Sequence, residues 1–185
     1  MNSKELIIAE TEKRDKEQTN QFFKNFGLDA RLISKAEVQT PDFGIYQNSN
    51  LFGYCELKSI IKEEWKNGTR KDPTYNRIQG KIHEAVKQLK TINAKHTVPN
   101  IIVIINHEEH CGKPDLHAVL TGKFLLTQGE VDFDARYRNR LLKNRDLSHP
   151  DLIVWIDADS ILPHFYCLKE SSYKQRIREV FTRHK

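Results

Sequence analysis

Apolar positions recur along this chain in two periods, and the switches between them lay out its elements. From about Lys4 to Phe26 good helix formers run without Gly or Pro, and Gly27 stands where a helix C-cap belongs, so a first helix is predicted. Traced backward at helical spacing, its inward stripe runs Phe26, Phe22, Thr19, Asp15, Glu12, Ile8, and acids on such a stripe are unexpected. Ala30 to Glu37 reads as a strand that Thr40-Pro41-Asp42 punctuates. Phe43 to Tyr46 and Leu51 to Ile60 read as two more, joined by the turn Gln47-Asn48-Ser49-Asn50 into a hairpin over residues 42 to 60.

The polar stretch Lys62 to Thr74, with Gly68 and Pro73, reads as a mobile basic loop. From Tyr75 to Ile92, Ile78, Ile82, Ala85, Val86 and Leu89 keep the spacing of one packed helix face. Ile101 to Ile105 and Leu152 to Ile156 are unbroken apolar runs, as expected of central strands covered on both faces. Phe165 to Leu168 reads as an edge strand, residues 107 to 150 as an insertion with a helix around Phe133 to Asn144, and a basic helix follows from Ser172. The expected plan is α/β: helix, three strands, helix, strand, with a mixed central sheet flanked by helices and a C-terminal elaboration.

Composition narrows this only slightly. A chain of 185 residues suits one domain, 1–185, with a real core, and 38% hydrophobic against 30% charged residues suits a soluble protein. Thirty Lys and Arg against 25 Asp and Glu give +5, a modest lean toward polyanionic partners. No apolar run approaches the roughly 20 residues that cross a bilayer. The start, Met1-Asn2-Ser3-Lys4-Glu5, lacks a signal-peptide pattern, so a cytoplasmic protein with no membrane partner is expected. Cys55, Cys111 and Cys167 are odd in number and far apart, which favours reduced thiols over a disulfide framework.

The strongest chemical signal is Pro41-Asp42 followed across the hairpin by Glu56-Leu57-Lys58. Residues two apart on a strand share a face, so Glu56 and Lys58 project together while Cys55, Leu57 and Ser59 project oppositely. A short hairpin sets Asp42 against the same strand, bringing two carboxylates and an amine together. Close carboxylates repel, a divalent cation relieves that repulsion, and oxygen ligands suit Mg²⁺ or Mn²⁺.

This arrangement resembles the PD-(D/E)xK nuclease superfamily, the restriction-endonuclease-like fold, over roughly residues 4 to 105. The family core of helix, three strands, helix and strand is the order read above from periodicity. The resemblance implies a metal-dependent phosphodiesterase acting on DNA, and an endonuclease by type. It implies Asp42, Glu56 and the Leu57 carbonyl as metal ligands and Lys58 beside the hydrolytic water. Related enzymes often dimerise to cut both strands, which leaves a homodimer open. Many members add an acid from the first helix. A strand over 30 to 37 spans roughly 23 Å, and a helix running back covers that in roughly 15 residues, which selects Glu12 over Glu17, since the helical wheel turns Glu17 outward.

Candidate nucleic-acid contacts are Lys62, Arg70 and Lys71 in the basic loop and Arg77, Gln79 and Lys81 on the second helix, with Arg136 to Arg145 and the last helix behind them; ordinary solvated faces would look the same. His107-Glu108-Glu109-His110-Cys111 contains zinc-type ligands, with His164 and Cys167 as distant partners, but a structural zinc site usually pairs two spaced couples, so a polar loop is the better reading. The same fold acting on RNA or as a toxin or defence effector, and a catalytically silent binding module, are the alternatives.

Overall fold

The computed structural model describes residues 3–34, 40–62, 74–127, 129–132, 147–160, 162–168 and 171–182. In chain order these form α1 (Ser3–Asn25), β1 (Asp29–Leu32), β2 (Phe43–Gln47), β3 (Asn50–Ile60), α2 (Thr74–Ile92) and β4 (Asn100–Asn106). There follow α3 (Lys113–Thr121), β5 (Lys123–Leu126), β6 (Gly129–Asp132), β7 (Leu152–Asp157), β8 (His164–Cys167) and α4 (Lys174–Phe181). The order helix, three strands, helix, strand read from periodicity is the observed one.

Local chemistry accounts for the joints. Gly27 adopts φ +69, the left-handed conformation that ends a helix at low cost, and Leu28 N–H closes back on the Phe23 carbonyl. Asn48 and Ser49 both take positive φ, so the β2–β3 turn has the twist that a two-residue hairpin needs. At Gly53 a Cβ would lie 2.5 Å from the Pro99 carbonyl, which instead accepts from Tyr54 N–H and docks the entry to β4 against β3.

The sheet is mixed, six-stranded and ordered β1-β2-β3-β4-β7-β8. β1–β2 and β2–β3 are antiparallel, β3–β4 and β4–β7 parallel, and β7–β8 antiparallel. The last β2–β3 pair is Phe43 with Cys55, so β3 from Glu56 onward has no β2 partner on that edge. Helices cover both faces. On one, Phe22 and Phe23 of α1 and Ile177 and Val180 of α4 pack on Cys55, Leu57, Ile101, Val103, Ile105 and Val154. On the other, the α2 stripe and Leu116 and Val119 of α3 pack on Ile60, Ile102, Ile104, Ile153 and Trp155. Each fully buried Ile, Val, Leu or Phe contributes about 1.5–3 kcal/mol, and all seven residues of β4 are buried.

Departures from expectation have local causes. β1 ends at Leu32, well short of Glu37, and residues 35–39 lie outside the described set. So do the greater part of the basic loop, 63–73, and the helix expected around Phe133 to Asn144. Residues 113–132 hold α3 and the β5–β6 hairpin, which periodicity did not reveal. α3 has only nine residues, and β6 is exposed throughout, so neither carries a long apolar pattern. What marks α3 is punctuation: Asp115 accepts from Gly112 N–H at its start and Gly122 stops it at φ +73. No described helix is long and apolar enough to cross a membrane, and all three cysteines are free thiols.

Candidate active site

Strand alternation turns Cys55 and Leu57 toward α1 and sends Glu56, Lys58 and Ile60 into the α2 layer. Glu56 pairs in register with Ile102 and Lys58 with Ile104, so two charged groups stand among apolar neighbours. Asp42 immediately precedes β2 and is laced to β3 by two crossed hydrogen bonds. Leu57 N–H donates to Asp42 Oδ2 (3.1 Å), and Asp42 N–H donates to Glu56 Oε2 (3.1 Å). Lys58 Nζ lies 2.9 Å from Glu56 Oε1, donates to Gln88 Oε1 of α2 at 2.7 Å, and is 3.8 Å from Glu84. The structure therefore brings Asp42, Glu56, Leu57 and Lys58 together on β3 just beyond its last pair with β2.

The electrostatics are those of a crowded acid pair. Burial, and then the charge of Asp42, push the Glu56 carboxyl up to about 7, while Lys58 works against both. The Cys55 thiol is also pushed up, first by burial and then by Asp42 and Glu56.

α1 presents a different acid from the one selected by counting. Glu12 is exposed, whereas Asp15, one turn later on the same stripe, is fully buried. Ser59 Oγ donates to Asp15 at 2.5 Å, and His107 Nε2 is 3.0 Å from both its oxygens. Arg14 donates to His107 Nδ1 (3.2 Å), which makes Nε2 the N–H that serves Asp15. The count assumed an eight-residue β1. With β1 ending at Leu32, the first turns of α1 overhang the sheet, as the exposure of Leu6 and Ile7 records. Asp15 borders the β3 segment of Glu56 and Lys58 from the opposite face, and its place on the inward stripe was the signal that could have found it.

The expected nucleic-acid contacts disperse. Arg77 is mostly buried and donates to Glu108 (3.3 Å) and to the Ile61 carbonyl; Lys62 is exposed and paired with Glu109 at 2.5 Å. Gln79 and Lys81 are half-buried on α2, and Arg70, Lys71 and Arg136 to Lys143 and Arg145 lie outside the described residues. Gln88, two turns beyond Lys81, is the α2 residue that reaches Lys58, because a lysine stem spans farther than strand and helix spacing alone indicate. In the loop after β4, His107 turns to Asp15 and Glu108 to Arg77, while Asn106 Nδ2 donates to the Glu108 and Cys111 carbonyls. Among the described residues no three or more His, Cys, Asp and Glu side chains converge as a metal-binding group.

No family model, no curated protein and no solved structure matches this chain.

Proposed function

We propose that this protein is a Mg²⁺- or Mn²⁺-dependent phosphodiesterase of the PD-(D/E)xK type acting on DNA, an endonuclease with Asp42, Glu56 and Lys58 at its centre. One observation carries the reading: two carboxylates are tied across the β2–β3 junction just beyond the last β2–β3 pair, with a lysine 2.9 Å from one of them. The element order and the mixed sheet between two helical layers support the restriction-endonuclease-like fold.

The residues fit a hard divalent cation. Their donors are oxygens, and after burial it is the charge of Asp42 that lifts the Glu56 carboxyl, a repulsion of the kind a cation relieves. Asp42, Glu56 and the Leu57 carbonyl would hold it, and when bound it would polarise a phosphoryl oxygen and acidify a water. Lys58, held between Glu56 and Gln88, would face charge developing on the phosphate and orient the attacking water. Burial of Glu56 limits competing solvent around these groups.

The test is cleavage of plasmid, linear and single-stranded DNA and of RNA with Mg²⁺, Mn²⁺ or EDTA, comparing wild type with Glu56→Ala and Lys58→Ala. Metal-dependent nicking of plasmid that falls by on the order of 100-fold or more in both variants is expected. Cleavage of RNA alone would replace DNA as the substrate, and equal activity in all three proteins would remove the site assignment.

A further inference from the structure

A groove of about 380 Å³ runs between α1 and the β1–β2 edge of the sheet, lined by Lys16, Glu17, Asn20, Gln21 and Lys24 from the helix and by Leu32 and Phe43 from the strands. It lies on the α1 face of the sheet, and its lining is next in the chain to the site described above, since Phe43 follows Asp42 and Lys16 follows Asp15. From there it follows α1 toward its C-terminus. Lys16, Asn20 and Lys24 are four residues apart and so form one stripe. The two lysines stand about 12 Å apart along the axis.

Charge distinguishes these lysines from two of the cations picked out by sequence. Arg77 and Lys62 are engaged by Glu108 and Glu109, whereas neither Lys16 nor Lys24 forms an ion pair with a described residue. Asn20 fixes the groove wall by donating to the Ala30 carbonyl (3.1 Å), which ties α1 to the edge strand. Among the described residues Glu17 is the one acid in the lining. The volume is at the low end for ligand pockets, room for roughly a nucleotide or two and none for a duplex.

Resting on the reading of Asp42 and Glu56 as the reaction centre, we propose that this groove binds a single strand of nucleic acid leading away from the scissile bond, with Lys16 and Lys24 on its phosphates. The substrate class is then nucleic acid with an unpaired strand beside the cleavage point. The lysines position the backbone and read no bases, and the exposed Leu32 offers an apolar surface to a base face.

The experiment is fluorescence anisotropy of labelled single-stranded and duplex oligonucleotides in EDTA across a salt series, with the full chain. Replacing both lysines (Lys16→Gln with Lys24→Gln) should weaken single-strand binding about tenfold and lower the salt slope by about 1.4, the value for two phosphate contacts on a single strand. Glu17→Gln should tighten it severalfold, a gain that damaged folding does not produce. Single-strand affinity and slope unchanged in the double variant, no single-strand binding by the wild type, an effect confined to duplex, or equal binding of polyglutamate would each overturn the proposal. Cleavage assays separate it from the reading it rests on: binding that behaves as expected without any metal-dependent cutting removes the nuclease and keeps the groove, whereas cutting with lysine-independent binding removes the groove alone.

Discussion

Two buried carboxylates flank β4 in the first half of the parallel strands, Asp151 just before the residue that pairs with Ile101 and Glu56 level with Ile102, and they are treated differently. Asp151, just before β7, accepts from Asn100 N–H (2.7 Å), His96 Nε2 (2.7 Å) and Ser171 Oγ (2.5 Å), donors from three separate segments. Glu56 is as deeply buried, and burial together with the facing Asp42 lifts it to about 7 against the pull of Lys58 at 2.9 Å. The first arrangement satisfies a charge and so joins the ends of β4 and β7 to the start of the final helix. The second sets one carboxylate beside another with Lys58 as the counter-charge, an arrangement in which, on the proposed function, a bound cation would relieve the remaining repulsion.

The sharpest way to break this comparison is to remove each acid in turn. Asp151→Ala strips three donors of their acceptor and should cost about 3–5 kcal/mol, read as a lower urea midpoint. Glu56→Gln in metal-free buffer at pH 8 should raise that midpoint. Equal losses in both variants would mean that the two acids do the same structural job.

The next effect is a pH dependence. Because the folded Glu56 carboxyl sits near 7, above its ordinary 4.5, its relative contribution is fully present below about 4.5 and is lost as pH rises through 7. In metal-free protein the stability difference between wild type and Glu56→Gln should therefore move against wild type by about 3 kcal/mol between pH 4.5 and 8. Denaturant melts across that range test it. A difference independent of pH would show that Asp42 and burial do not strain Glu56.

The smallest effect sharpens the site itself. Gln88→Met removes the amide oxygen that accepts from Lys58 at 2.7 Å. On the proposed reaction, kcat should fall about tenfold, the worth of one charged hydrogen bond, with KM little changed. A change in KM alone would place Gln88 in substrate binding and leave Lys58 positioned by Glu56.

Much of this architecture was legible in the chain. Ile78, Ile82, Ala85, Val86 and Leu89 were read as one packed face and are all buried, and the runs at 101–105 and 152–156 are the two central parallel strands. The hairpin over 42 to 60 was legible because alternation and a positive-φ turn are local properties, and they place Asp42 against Glu56 with little freedom. Glu12 was less tractable. Its exposure depends on where β1 stops relative to α1, a distance between elements that no window of sequence contains. Arg77 illustrates the same limit, since only the approach of Glu108 from the end of β4 turned an expected phosphate contact into an internal ion pair.

By itself the sequence determined periodicity, register and therefore the face on which Glu56 and Lys58 lie, because backbone geometry repeats every two or 3.6 residues whatever surrounds it. The tertiary structure alone decided which helix acid is buried, that Gln88 holds Lys58, and that Lys16 and Lys24 border an open groove. Those outcomes depend on packing between segments far apart in the chain, and desolvation and pairing energies exist only once that packing has formed.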